Sequence, residues 1–304
     1  MDSLKISICI VGYNTKKFIK DCLNSIYANL KEGTFEVIVA DNNSRDGSVD
    51  MIRSEYPKVK LIANKDNGGF AKANNMAMKE SRGEYVLLLN PDTVLIDDSL
   101  YQLVDFMDQH PEAGSCGPMI LNFDKTMQRQ CKRGIPNFWN SFTYSTGLWR
   151  KFPGNPWWRK TMGGYFLLGK SDDSAAEVDI LSGAVMMVRR NILDKVGLMS
   201  EDYFLYAEDM DWCMRIKKSG WKNYYVPAAK IIHYGGAGSQ IHAIRNLWFF
   251  HRAQCIFYSR HVSRPFYFFI DIFYYLGVWT IFCYKLFLNI FKKEKIIGSK
   301  KPIS

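Results

Sequence analysis

No C-x-x-C pair, no G-x-G-x-x-G loop, no Gly-X-Y period, no internal repeat and no low-complexity tract occurs in the 304 residues. Without the glycine period the chain is not collagen-like, and 47% hydrophobic residues leave no case for disorder. Without the glycine-rich fingerprint a dinucleotide oxidoreductase has no support. Seven cysteines, at 9, 22, 116, 131, 213, 255 and 283, form neither an even disulfide framework nor a zinc-ligand spacing. They read as reduced thiols. Ahead of Gly12 the only apolar run is Ile6–Val11, too short for a signal-peptide core and followed by no small-residue cleavage site. It reads as a first β-strand, with the folded body expected on the cytoplasmic side.

Acidic charge is in deficit. There are 40 Lys+Arg against 30 Asp+Glu, a net charge of +10. Spread evenly, that excess would point to nucleic acid, but it is not spread evenly. Residues 242–304 hold ten of the basic residues and only two acidic ones, Asp271 and Glu294, together with 17 of the 45 aromatics. The first 241 residues are nearly neutral. A basic, aromatic appendage on a neutral body fits an anionic membrane surface better than a base-paired helix, and no nucleic-acid partner is expected.

Along the body, short apolar β-rich runs alternate with helical spacing. Lys5–Val11, Phe35–Ala40, Val59–Ala63 and Tyr85–Leu89 read as strands. Between them lie helices capped at Thr15 and spanning Val49–Glu55 and Ala71–Glu80, with Asp97–Gln109 a further amphipathic helix. That alternation predicts an α/β fold with a mostly parallel sheet, whose ligands bind beyond the carboxyl ends of the strands. Polar residues stand at three such ends: Asn14, Asp41 with Asn43, and Asp92. Residues 120–176 lose periodicity in a stretch rich in Trp, Gly and Pro and are left unassigned. Regular structure resumes with a strand over Glu177–Val188, a helix over Glu208–Ser219, and strands at Lys222–Val226 and Ala229–His233.

Asp92, the acidic run Glu208-Asp209-Met210-Asp211, and His233 are the candidates for chemistry. A strand-end Asp with a distant His suits a hard divalent cation that shares phosphate oxygens, and such a cation stabilises a diphosphate leaving group. The later acids offer a general base for an incoming hydroxyl. Each residue also has a plainer reading: Asp41 as a turn residue, and Glu208 and Asp209 as acids favoured at a helix N-terminus.

Five segments then stand in order: Ser7-Ile8-Cys9-Ile10-Val11-Gly12-Tyr13-Asn14, Val39-Ala40-Asp41-Asn42-Asn43-Ser44, Asn67-Gly68-Gly69-Phe70-Ala71-Lys72-Ala73-Asn74, Leu89-Asn90-Pro91-Asp92 and Tyr206-Ala207-Glu208-Asp209-Met210-Asp211-Trp212. With them, residues 5–240 resemble glycosyltransferase family 2, the inverting nucleotide-sugar enzymes of GT-A fold, and within it the bacterial rhamnosyltransferases of O-antigen and other surface polysaccharides. The resemblance implies a Rossmann-like, mostly parallel mixed sheet flanked by helices. It divides the chain into a nucleotide-sugar-binding half (1–118), a metal- and acceptor-binding half of the same domain (119–241) and a helical extension (242–304). It implies that Asp41 receives the pyrimidine base, flanked by Gly12, Tyr13, Asn14 and Asn43, while Asn67, Gly68 and Asn74 lie near the ribose and diphosphate. Asp92 becomes the metal ligand of a D-x-D-type motif whose first Asp is here Asn90, which raises the weight on His233. The metal is Mg2+ or Mn2+. Asp209 is the first choice for the general base, with Glu208 second and Asp211 third. The expected donor is dTDP-L-rhamnose, with UDP-hexoses behind it, and the acceptor a glycan or lipid-linked glycan. A non-catalytic nucleotide- or carbohydrate-binding relative is the competing reading.

Gly164–Ser171 satisfies G-x-x-x-x-G-K-S, but Tyr165-Phe166-Leu167-Leu168 fill the loop and no strand precedes it, so a P-loop is not expected. Phe266–Tyr284 holds one charge in 19 residues, with Arg252, Arg260 and Arg264 before it and Lys292, Lys293 and Lys295 after it. Basic flanks on both sides argue for a helix lying in the membrane interface rather than crossing it. A C-terminal helical subdomain packing on the body or on a second subunit is the alternative. The location expected is cytoplasmic, peripheral on the inner face of the cell membrane.

Overall fold

The computed structural model describes residues 4–152, 154–235, 243–266 and 268–291. The N-terminal half alternates as the periodicity predicts: β1 (Ile6–Gly12), α1 (Lys16–Asn29), β2 (Phe35–Asp41), α2 (Ser48–Glu55), β3 (Lys60–Ala63), α3 (Phe70–Lys79) and β4 (Tyr85–Leu89). β1 pairs in parallel with β2 and with β4, so both its neighbours and both its faces are covered, and all seven residues are buried. That is why its sequence is a continuous apolar run rather than an alternating one. Thr15 does stand at the N-cap of α1, but its hydroxyl makes no capping bond. The cap comes instead from the next loop, where the Asp46 carboxylate accepts from the Lys16 N–H at 2.7 Å.

The rest of the chain completes the sheet from β5 (Thr93–Leu95), α4 (Ser99–Gln109), β6 (Ala113–Leu121), β7 (Lys132–Arg133), α5 (Phe138–Ser145), α6 (Pro156–Met162), β8 (Ala176–Val178), β9 (Ile180–Leu181), β10 (Val185–Arg189), α7 (Arg190–Lys195), α8 (Glu208–Lys218) and β11 (Lys222–His233). The order across the sheet is β3-β2-β1-β4-β10-β6-β11-β5, with β8 also on β11, and β7 pairs β9 apart from it. β10 inserts antiparallel between β4 and β6, which makes the sheet mixed. Position 118/119 falls inside β6.

Three expectations are corrected. The single strand over Glu177–Val188 is three short ones, interrupted at Asp179 and at Ser182-Gly183-Ala184, where the chain turns toward the acids of α8. The two strands at 222–226 and 229–233 are one, β11, with a register shift between Val226 and Lys230. Pro118 of β6 sits at that shift, where a residue without an N–H interrupts the ladder least. Residues 120–176 are not a bare loop either. They hold α5, α6 and short 3-10 turns, clamped by aromatic pairs such as Trp149–Phe166 (4.8 Å between ring centres) and Phe152–Trp158 (4.9 Å).

Two helices follow, α9 (Ala243–His261) and α10 (Phe268–Phe291). α9 is bound to α8 through buried Asp211, which accepts from His261 Nε2 at 2.8 Å and from Arg215 Nε at 2.8 Å. This is a structural bracket, so Asp211 is withdrawn as a candidate base. All seven cysteines are free thiols, and burial pushes Cys22 up to about 12 and Cys131 to about 11, which leaves those two as inert core residues.

Candidate active site

Beyond the carboxyl ends of β1, β2 and β4 lies a cleft of about 720 Å3, whose opposite wall is the start of α8 and the end of β11. Asp92 and His233 meet at its floor because β5 and the end of β11 pair there, and Tyr234 N–H donates to the Asp92 carbonyl. Asp92 is buried, and its Oδ1 lies 3.2 Å from His233 Nε2. Gln128 sets the ring's tautomer. Its Nε2 donates to the His233 carbonyl (2.7 Å) and to Asn122 Oδ1 (3.1 Å), so its Oε1 accepts from His233 Nδ1 (3.0 Å). In the neutral ring the Nε2 lone pair then points at Asp92 and at Asn90 Nδ2, 3.3 Å away. A carboxylate oxygen and an imidazole lone pair 3.2 Å apart are a donor set for a cation. Asn90 Oδ1 is buried with no hydrogen-bond partner among the described residues, a neutral oxygen beside the other two. The corner therefore fits a divalent cation that draws its remaining ligands from phosphate, although among the described residues no three or more His, Cys, Asp or Glu are placed to hold a metal ion by themselves.

Across the cleft, Tyr206 and Ala207 both take left-handed backbone angles (φ 73° and 63°) before α8 begins at Glu208. Strain of this kind in two consecutive side-chain-bearing residues persists where the surroundings enforce a functional geometry. It delivers Glu208 and Asp209 to the cleft. Asp209 Oδ2 is held by Arg133 Nη2 at 2.6 Å and by the Gly183 N–H at 2.9 Å. Arg133 is itself buried and donates to the Leu181 carbonyl. Glu208 differs from its neighbour: its Oε2 is buried without a hydrogen-bond partner among the described residues, and burial, with the adjacent Asp209 charge, pushes its carboxyl up to about 8.

On the nucleotide side the expected residues divide. Tyr13 and Asn67 line the cleft, as does Asn42. Asp41 is buried at the end of β2, accepting from Ser44 N–H (2.8 Å) and Ser44 Oγ (2.5 Å) beneath Gly12. Asn14 (φ 52°) receives the Arg45 N–H on its side chain, and Asn43 (φ 65°) donates to the Lys65 carbonyl, so both shape this loop. Asn74 lies within α3, buried, donating to the Phe70 carbonyl, and is not among the cleft-lining residues. Gly69, rather than Gly68, is the demanding glycine. Its φ is 92°, and a Cβ there would meet the Phe204 carbonyl oxygen at 2.5 Å. Asn67 Oδ1 accepts the Gly69 N–H, and Asn42 Nδ2 donates to the Gly69 carbonyl. The G-x-x-x-x-G-K-S stretch is a 3-10 turn with Lys170 bonded to the Glu177 carbonyl, not a phosphate loop.

Compared with known families, residues 7–197 match Glycosyl transferase family 2. The chain belongs to that family. Family 2 relatives include the N-acetylglucosaminyl-diphospho-decaprenol L-rhamnosyltransferase of Mycobacterium tuberculosis, 29% identical over 242 residues, or 76% of each chain. Rhamnosyltransferase WbbL of Escherichia coli K12 is 26% identical over 239 residues, 75% of this chain and 83% of that one. Among solved structures, a mannosyltransferase of Pyrobaculum calidifontis in complex with GDP-Man and Mn2+ superposes with a TM-score of 0.58 at 17% identity, covering 87% of this chain and 67% of the other. TarS of Staphylococcus aureus in complex with UDP gives 0.55 at 17% identity, covering 85% and 67%. This family 2 member is a nucleotide-sugar-dependent glycosyltransferase of GT-A fold, related to rhamnosyltransferases.

Gln128, Arg133 and Gly183 escaped the sequence reading. The first two lie where periodicity fails, and nothing local marks them as partners of His233 and Asp209, more than seventy positions away.

Proposed function

We propose that this family 2 enzyme is an inverting transferase that moves L-rhamnose from dTDP-L-rhamnose to a lipid-linked glycan of bacterial surface-polysaccharide synthesis. The observation that carries the reading is a single cleft with a cation-type corner, Asp92 and His233, on one wall and the acids Glu208 and Asp209 on the other. The rhamnosyltransferases among its relatives support the sugar, and the diphospho-decaprenol in one relative's name supports the lipid-linked acceptor. Asp41 with Asn14 and Asn43 holds the loop that receives the base, and Tyr13, Asn42 and Asn67 border the nucleotide. Asp92 and His233, with Asn90 Oδ1 beside them, would hold a Mg2+ or Mn2+ ion, which when bound would supply charge neutralisation at the donor diphosphate.

Asp209 takes the proton from the acceptor hydroxyl as that oxygen attacks the anomeric carbon, and in the same displacement the bond from that carbon to the diphosphate oxygen breaks and dTDP leaves. It stands as the carboxylate of an ion pair, anchored through Oδ2 by Arg133 and Gly183. Burial and the adjacent Asp209 charge raise the Glu208 carboxyl above the ordinary carboxylate range, which favours its protonated form and leaves Asp209 as the better base. Calorimetric titration with a panel of dTDP-, UDP- and GDP-sugars, followed by turnover assays, tests the reading. dTDP-L-rhamnose is expected to bind in the presence of Mg2+ or Mn2+, and Asp209→Asn to lower kcat by roughly 100- to 10,000-fold. Turnover of Asp209→Asn at the wild-type rate would remove Asp209 as the base.

A further inference from the structure

A second cavity, about 220 Å3, lies behind the acids. It shares Tyr144, Tyr206, Glu208 and Asp209 with the main cleft, so the two spaces meet at the candidate base. Its remaining wall is mostly apolar and comes largely from the two C-terminal helices: Phe250, Ala253, Phe257 and Tyr258 of α9 and Tyr274 of α10. The same α10 that turns Tyr274 into the cavity presents Phe268, Phe269, Phe273 and Leu276 to the outside, each more than half exposed. Two polar atoms at this cavity are buried without a hydrogen-bond partner among the described residues, Arg133 Nε and Glu208 Oε2, both on residues more than nine-tenths buried. An apolar chamber ending in two unmatched polar atoms fits a ligand with an apolar tail and a polar head.

We propose that this cavity binds the lipid chain of the acceptor next to its head group, so that the chain passes from the outer apolar face of α10 to the head held at Asp209. The inference rests on the glycosyltransferase reading above and adds to it the place where the acceptor's lipid chain binds and the wall that selects it. Loss of apolar contact is the quantity to measure, because each methylene buried is worth about 0.8 kcal/mol, or roughly fourfold in affinity. Ala253 is the lever: it is buried on α9, lines the cavity and touches neither the donor side nor the acids by bond. Ala253→Leu partly fills the space and Ala253→Phe fills it more.

The experiment compares two acceptors bearing the same N-acetylglucosaminyl diphosphate head, one on a farnesyl chain and one on a methyl group. Wild type is expected to prefer the farnesyl acceptor in kcat/KM. In Ala253→Leu that preference falls by about tenfold, and in Ala253→Phe it falls further, through KM, while calorimetry shows donor binding retained. A preference unchanged in both variants overturns the proposal, as does a wild type that turns over the two acceptors alike. If Ala253→Phe does not fold, Ala253→Leu carries the same comparison alone. Failure of the underlying reading looks different: wild type then binds no nucleotide-sugar and turns over neither acceptor.

Discussion

Glu208 and Asp209 are adjacent in sequence and opposite in circumstance. Asp209 is matched by a guanidinium and a backbone N–H, whereas Glu208 is buried beside a like charge with its Oε2 lacking a hydrogen-bond partner among the described residues. A carboxyl raised from its ordinary value near 4.5 to about 8 has a definite linkage consequence. Below the unfolded value both states carry the proton and burial costs little. Between that value and about 8 the native state binds a proton that the unfolded state has released, so stability falls as pH rises and levels off above it. Glu208→Gln removes the proton uptake and keeps the shape. It is expected to melt within a degree or so of wild type near pH 5 and several degrees higher near pH 9, measured by thermal unfolding at the two pH values. A variant that tracks wild type at both would mean that Glu208 is ionised and solvated in the native protein. Sequence could mark these acids as a pair but could not separate them, because the separation comes from Arg133, 76 positions away.

At the scale of elements, the strand ends and their motifs were legible because each is local: an apolar run, then Gly, Asn or Asp where the chain must turn. β6 was not, since two glycines and Pro118 disguise a fully buried nine-residue strand whose irregularity is absorbed by the register shift in β11. The single strand expected over 177–188 broke for a similar reason: Ser182-Gly183-Ala184 leaves the sheet to present a backbone N–H to Asp209. The turn into α3 shows how far a motif can mislead by one residue. Gly68 and Gly69 are indistinguishable in sequence, yet a Cβ at Gly68 would touch only the flexible Lys72 side chain, while at Gly69 it would strike the Phe204 backbone in a left-handed conformation. Gly69→Ala is therefore expected to cost about 1–3 kcal/mol of stability and to weaken nucleotide-sugar binding, because Phe204 also lines the cleft. Gly68→Ala is expected to stay within about 0.5 kcal/mol of wild type. Denaturant unfolding and calorimetry on the two variants give the comparison, and equal behaviour would remove the close approach as the cause.

For the whole molecule, the basic tail divides into parts with different work. Arg252 donates to the Asp202 carbonyl, and Arg260 pairs with Asp202 and reaches Asp211, so two of the arginines expected at lipid headgroups instead fasten α9 to the body. Lys292, Lys293 and Lys295 lie outside the described residues. What α10 does present is apolar: Phe268–Asn289 is a 22-residue stretch long and apolar enough to cross a membrane, with only 6% of its most apolar window buried. Its one acid, Asp271, accepts from Tyr258 and Ser263 at 2.7 Å, which removes the chief penalty for bringing the helix to lipid. Attachment to a membrane through α10 would therefore run through aromatic insertion, with charge as a minor contribution. Phe269→Glu with Phe273→Glu in the full chain places two carboxylates where two exposed rings stood. Each ring is worth roughly 1.5–3 kcal/mol on burial, so the double variant is expected to lose more than about a hundredfold in partition onto vesicles of mixed neutral and anionic phospholipid, read by co-sedimentation. Raising the salt screens the electrostatic part and is expected to shift wild-type partition only a few-fold. A double variant that sediments like wild type, or wild-type binding that vanishes in salt, would assign attachment to the basic residues beyond 291 and leave the aromatic face of α10 for a protein partner.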